Sequence, residues 1–189
     1  MATKTSSQST APSSIDAAER ADIVEALRKH RGLFRVTLSG LTDEQARLSP
    51  TVSALSLGGL VKHLSAVERQ WARFVTDGPA ATPDIDWANV DWTDPPPQVQ
   101  EYVDGFRMLD GETLAGLLAD YEDAGAATDE LAMTVDLGAR QPLPTAPWFE
   151  RGASWSARRV FGHVLAETAQ HAGHADIIRE TIDGQKSMG

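Results

Sequence analysis

The chain contains no cysteine. That absence excludes disulfides, thiolate metal ligands and a thiol nucleophile of the protein's own. Any metal must therefore take histidine and carboxylate ligands. Positive charge is also scarce, with 17 Lys and Arg against 27 Asp and Glu and a net charge of −10. Nucleic acids and anionic membranes reward clustered positive charge, so neither is an expected partner. No apolar run approaches the roughly 20 residues of a membrane span. The first 14 residues, MATKTSSQSTAPSS, hold no apolar stretch of the kind a secretory signal needs, so a cytoplasmic location is expected. Runs alternating with period two, which would announce strands, are missing, and so are internal repeats.

What is present is a chain of 189 residues, 41% hydrophobic, which is enough for one domain with a substantial core. Residues 1–14 read as a disordered Ser/Thr-rich tail, and 15–189 as a single domain. Asp16 and Glu19 have the spacing of a capping box for a first helix, whose stripe is Ile23, Leu27, Phe34 and Leu38, with Gly40 as its stop. Thr42 to Ser49 has room for one helical turn. Ser56 is the expected cap of a second helix running to Thr76, ended by Gly78 and Pro79. Residues 78–98 form a Pro- and Asp-rich loop carrying Trp87 and Trp92, whose acids read as solvated. Residues 99–109 are helical in spacing but interrupted by Gly105. Asp110 is the expected cap of a third helix to Val135. After a loop over 138–155, with Trp148, Phe149 and Trp155, Ser154 or Ser156 starts a fourth helix ending before Gly184. Four long amphipathic helices with two long connecting loops predict an all-α four-helix bundle.

The fourth helix carries the chemistry. Its segment HVLAETAQHAGHADIIRE (163–180) places His163, Glu167, His171 and His174 within one wedge of the helix at about 100° per residue. His163 and His171 stand roughly 12 Å apart along the axis, too far to share an ion. Glu167 and His171 are one turn apart and can converge, as can His171 and His174. A site of the catalytic zinc type wants three protein ligands, so a third must come from a facing helix. His63, beside the apolar stripe of the second helix, is the candidate. His30 sits among Arg28, Lys29 and Arg31, a poor place for a cation.

Two segments, SLGGLVKHLSAVERQWARF (56–74) and WSARRVFGHVLAETAQHAGHADIIRETIDG (155–184), resemble the DinB/YfiT-like superfamily, and more narrowly its mycothiol S-transferase branch. With the third helix, the resemblance spans most of residues 16–184. It implies a DinB-like four-helix bundle holding a divalent metal, zinc or alternatively nickel, through a histidine of the second helix and two residues four apart on the last. Matched to this chain, those ligands are His63, Glu167 and His171. Many superfamily members have His where Glu167 stands; a Glu there is similar to the mycothiol-dependent maleylpyruvate isomerase. His174 falls where many relatives have Gln and becomes a neighbour of the ligands or an alternative ligand, while His163 is left to packing.

The resemblance also implies the chemistry. A thiol-transfer enzyme without cysteine takes its thiol from a cosubstrate, mycothiol or a similar low-molecular-weight thiol, and a metal with an open position can ionise it for attack on an electrophile. The expected function is a metal-dependent S-transferase of detoxification, working as a homodimer, with the loops at 78–98 and 138–155 as pocket walls. The alternatives are a thiol-dependent isomerase and a non-catalytic metal-binding stress-response bundle.

Overall fold

Three hydroxyl residues open three of the long helices by the same local device. Ser56, Thr113 and Ser156 stand in extended backbone, and each side-chain oxygen accepts a hydrogen bond from the backbone N–H three residues on, at 3.1–3.2 Å. Each bond satisfies an N–H that the first helical turn leaves without a partner. The computed structural model describes residues 14–81, 89–144, 146 and 149–187. Within them the order is α1 (Ser14–Val36), α2 (Asp43–Arg47), α3 (Leu57–Asp77), a 3₁₀ turn (Gly78–Ala81), α4 (Pro97–Asp104), α5 (Leu114–Thr134), β1 (Arg140–Pro142), β2 (Ser154–Ser156) and α6 (Ala157–Asp183). Among the described residues the protein is all-α apart from one short ribbon. No described helix is long and apolar enough to cross a membrane.

The structure departs from the sequence expectations at several boundaries. Asp16 lies within the first turn of α1, which begins at Ser14, and Glu19 pairs with Arg158 of α6 rather than closing a capping box. The true capping box is at α2, where Thr42 and Gln45 bond reciprocally. Thr113, not Asp110, caps α5, and the N–H of Leu114 donates to Asp43 Oδ1 at 2.7 Å. The loop over 138–155 contains the antiparallel pair β1–β2, in which Gln141 faces Trp155. Residues 97–104 are helical, with Gly105 as the cap. The tail over 1–13, Trp87 and Trp148 lie outside the described residues.

The four long helices form a ring in the order α1, α5, α3, α6, because α1 and α3 each pack on both α5 and α6. Side-chain pairs give the directions. Arg20 donates to Ala132 O and Arg35 faces Glu122, so α1 and α5 run antiparallel. Lys62 pairs with Glu112 and Arg69 with Asp120, so α3 and α5 run parallel. Glu19 with Arg158 and Thr37 with Arg179 make α1 and α6 parallel. A parallel step from α3 to α5 obliges the chain to travel back about 30 Å, the length of such a helix. The connection containing α4 makes that return.

The core falls into two apolar clusters. One gathers Phe34, Leu38, Leu60, Leu64, Tyr121 and Ile178, and the other Val24, Leu27, Phe74, Ala132, Phe161 and Val164. Between them every long helix contributes a buried polar residue: Arg31, Glu68, Thr128 with Asp129, and Thr168. Arg31 clamps the wholly buried Glu68 with two bonds of 2.6 and 2.7 Å and reaches Asp129 at 2.7 Å. Charges can be buried at that depth because they are paired and hydrogen-bonded. Arg179, also buried, donates to the carbonyls of Thr37 and Ser39 and ties the end of α1 to α6.

Candidate metal centre

Antiparallel packing of α3 on α6 brings His63 opposite the polar stripe of the fourth long helix. His63 Nε2 lies 3.8 Å from Glu167 Oε2, and His171 Nε2 lies 3.6 Å from the same oxygen. The two imidazoles meet edge to face with centroids 4.8 Å apart. One ligand atom from each of His63, Glu167 and His171 falls within 4.8 Å of the other two, and all three residues are half-buried. Of the two pairings open on α6, the structure brings Glu167 and His171 together with His63. His174 lies on the other side of His171, Nδ1 to Nδ1 at 3.3 Å. His30 is outside the group.

The spacing itself is informative. A hydrogen bond between an imidazole and a carboxylate closes to about 2.7–2.9 Å. Atoms bound at about 2.0–2.1 Å to one tetrahedral ion stand about 3.4 Å apart. Separations of 3.6 and 3.8 Å are too long for the first and close to the second. Two imidazoles and one carboxylate are also the donor types that zinc and nickel accept. The residues present therefore fit a divalent metal.

The electrostatics agree. His171 first and His63 second hold the Glu167 carboxyl well below the usual carboxylate range, against burial, which pushes it up. Burial pushes the His163 imidazole below its ordinary value, partly offset by Glu167.

Two walls flank the centre, one of them partly from the 138–155 loop expected as a wall and the other not expected from the sequence. On one side Phe106 stacks on His63, centroids 4.7 Å apart and planes at 24°. The segment bearing it passes close over α3: a Cβ at Gly58 would meet Met108 Sδ at 2.8 Å, and one at Gly59 would meet the Phe106 carbonyl oxygen at 2.0 Å. The Gly58–Gly59 pair matches no phosphate-binding pattern, and this close approach is the reason for it. Arg47 gathers the carbonyls of Leu109 and Glu112, while Glu112 pairs with Lys62 at 2.9 Å, so the segment is tied down at its far end. On the other side Trp71 and Trp155 stack at 5.1 Å, and both meet the His163 ring edge to face. Phe149 abuts Trp155, and the Arg159 guanidinium lies 4.1 Å over its ring. His163 thus packs among aromatics, and it also faces Glu167 Oε1 at 3.6 Å. Of the loops expected as walls, Phe149 and Trp155 of 138–155 stand at the site; residues 82–88 of the other lie outside the described residues.

Among known protein families, the one described as mycothiol-S-transferase matches residues 22–184, a span that includes His63, Glu167 and His171. No curated protein matches the chain.

Proposed function

The chain belongs to the mycothiol S-transferase family, and from that premise we propose that it is a metal-dependent transferase joining mycothiol, or a similar low-molecular-weight thiol, to electrophiles in detoxification. His63, Glu167 and His171 are the proposed ligands, with zinc the leading metal and nickel the alternative. The observation that carries this reading is the 3.6 and 3.8 Å spacing of the two imidazole nitrogens about one carboxylate oxygen.

A divalent cation held there supplies a positive charge that ionises a coordinated thiol near neutral pH. Two neutral imidazoles and one carboxylate leave a dication with a single positive charge over, which matches one thiolate. Three protein ligands leave a position for it. With no cysteine in the chain, no thiolate of the protein competes for that position. Phe106 on one side, and Trp71 and Trp155 on the other, exclude water from the electrophile and offer it aromatic surface. The thiol proton leaves to solvent as the thiol binds. The sulfur then forms a bond to the electrophilic carbon, and the displaced electron pair departs with the leaving group, or moves to a neighbouring carbon that takes up a proton.

Zinc content and product analysis test this. The wild-type chain should take up zinc, His63→Ala and His171→Ala should not, and a thiol conjugate should form only with wild type. A chain that binds no zinc, with both variants behaving like wild type, would sink the proposal. An isomerase would instead return the thiol unchanged beside a rearranged substrate. A non-catalytic bundle would bind metal without turnover across a panel of electrophiles.

A further inference from the structure

His171 presents its two ring nitrogens to different neighbours, Nε2 toward Glu167 Oε2 at 3.6 Å and Nδ1 toward His174 Nδ1 at 3.3 Å. We propose that His174 is a positioning residue for His171, engaging Nδ1 so that Nε2 is bare for the ion. The inference rests on the metal reading of His63, Glu167 and His171 given above.

His171 needs such a hold because its tautomer decides which nitrogen can bind. A neutral imidazole carries one N–H, and a hydrogen bond from Nδ1–H to His174 leaves the lone pair on Nε2, the atom that faces Glu167. A spacing of three on one helix face sets the two rings beside each other, centroids 5.3 Å apart.

The test uses metal alone, so its readout does not depend on turnover. Zinc affinity is measured by chelator competition for wild type, His174→Phe and His174→Gln, with His63→Ala as the reference for a lost ligand. Phenylalanine keeps a ring and removes the polar atom; glutamine restores a polar group of similar reach. His174→Phe should bind zinc about 10–100-fold more weakly, and His174→Gln should return to within about threefold of wild type. Should His174→Phe fail to fold, His174→Leu removes the same polar atom with a smaller side chain and is read in its place. A His174→Phe variant that binds like wild type overturns the inference, and so does a His174→Gln variant that loses as much as His174→Phe, since packing alone would then explain the loss. If wild type binds zinc and His63→Ala does not, either of those results fails this inference and leaves the metal centre standing. A wild-type chain without zinc affinity overturns both.

Discussion

Phe106 lies flat on His63, 4.7 Å between ring centroids, and its backbone reaches that place only because residue 59 has no side chain. A Cβ at Gly59 would press to 2.0 Å from the Phe106 carbonyl oxygen, backbone that cannot swing aside like a flexible side chain. Gly59→Ala should destabilise the protein by about 1–3 kcal/mol, outweighing the gain of about 1 kcal/mol that alanine brings to a helix. Gly162, exposed on α6, has nothing within 4 Å of a built Cβ. Gly162→Ala should therefore stabilise by about 0.5–1 kcal/mol. Urea midpoints of the two variants should move in opposite directions.

Glu68 is 0% exposed and bonded twice by Arg31. Removing Arg31 strands Glu68, and Arg31→Met should cost about 3–5 kcal/mol. Glu68→Leu leaves Arg31 its bond to Asp129 and should cost less. The paired replacement of both should cost less than Arg31→Met alone, because no charge is then left alone on that axis; Asp129 retains Arg28. A double-mutant cycle from denaturant titrations measures the difference.

Tyr121 presents the reverse case. Its ring is buried against Phe34, edge to face at 5.8 Å, and burial raises its pKa, a rise that Thr168 offsets only in part, because the hydroxyl makes no hydrogen bond of ordinary geometry among the described residues. Tyr121→Phe keeps the ring contact and removes a polar atom that gains nothing from being inside. The variant should be as stable as wild type or more stable by up to about 1 kcal/mol. A drop of more than that in thermal unfolding would show that the hydroxyl is engaged.

The metal-free protein should weaken on mild acidification. Burial sets the folded-state pKa of His163 below its ordinary 6.5. The unfolded chain therefore takes up the proton first, and stability is lost as pH falls through 6.5 toward the folded value. The depressed carboxyl of Glu167 contributes stability above its ordinary 4.5, which is lost only as pH drops through its still lower folded pKa. Between about pH 7.5 and about pH 5.5 the His163 contribution therefore acts without that of Glu167. His163→Gln should flatten the fall in urea midpoint across that range, and an unchanged slope would contradict it.

The sequence carried the fold well where the signal is local. Ser56 announces its helix because an N-cap acts within three residues, and of the two candidates Ser154 and Ser156 the structure uses Ser156. Asp110 and Thr113 are both good caps by type, and the choice between them is made by Asp43, about 70 residues earlier, which bonds the Leu114 N–H. Strands of three residues are too short to display a period of two, so the β1–β2 ribbon was hidden. The polar stripe on α6 was visible from helix geometry, which also showed that His163 and His171 are too far apart to share an ion. Phe106 and Trp71 gave no sign of their place, because each meets its histidine across a tertiary contact, and Trp155 was placed only as part of the 138–155 loop expected as a wall. Nothing in the sequence marks Arg31 and Glu68 as a buried pair, for the same reason.

Those two charges act on the whole bundle as a ruler. A helix sliding by one turn moves about 5.4 Å, which in an entirely apolar core would exchange one leucine contact for another at little cost. Here every long helix carries its own polar mark at one height, Arg31, Glu68, Thr128 with Asp129, and Thr168. A slip of α1 or α3 would drive an unpaired charge into hydrocarbon. At α6 the mark is Thr168, whose hydroxyl donates to Val164 O of its own helix and whose immediate neighbour, Glu167, stands across from His63. The register of α1, α3 and α5 is thereby written into the middle of the core, by residues that are not themselves proposed ligands.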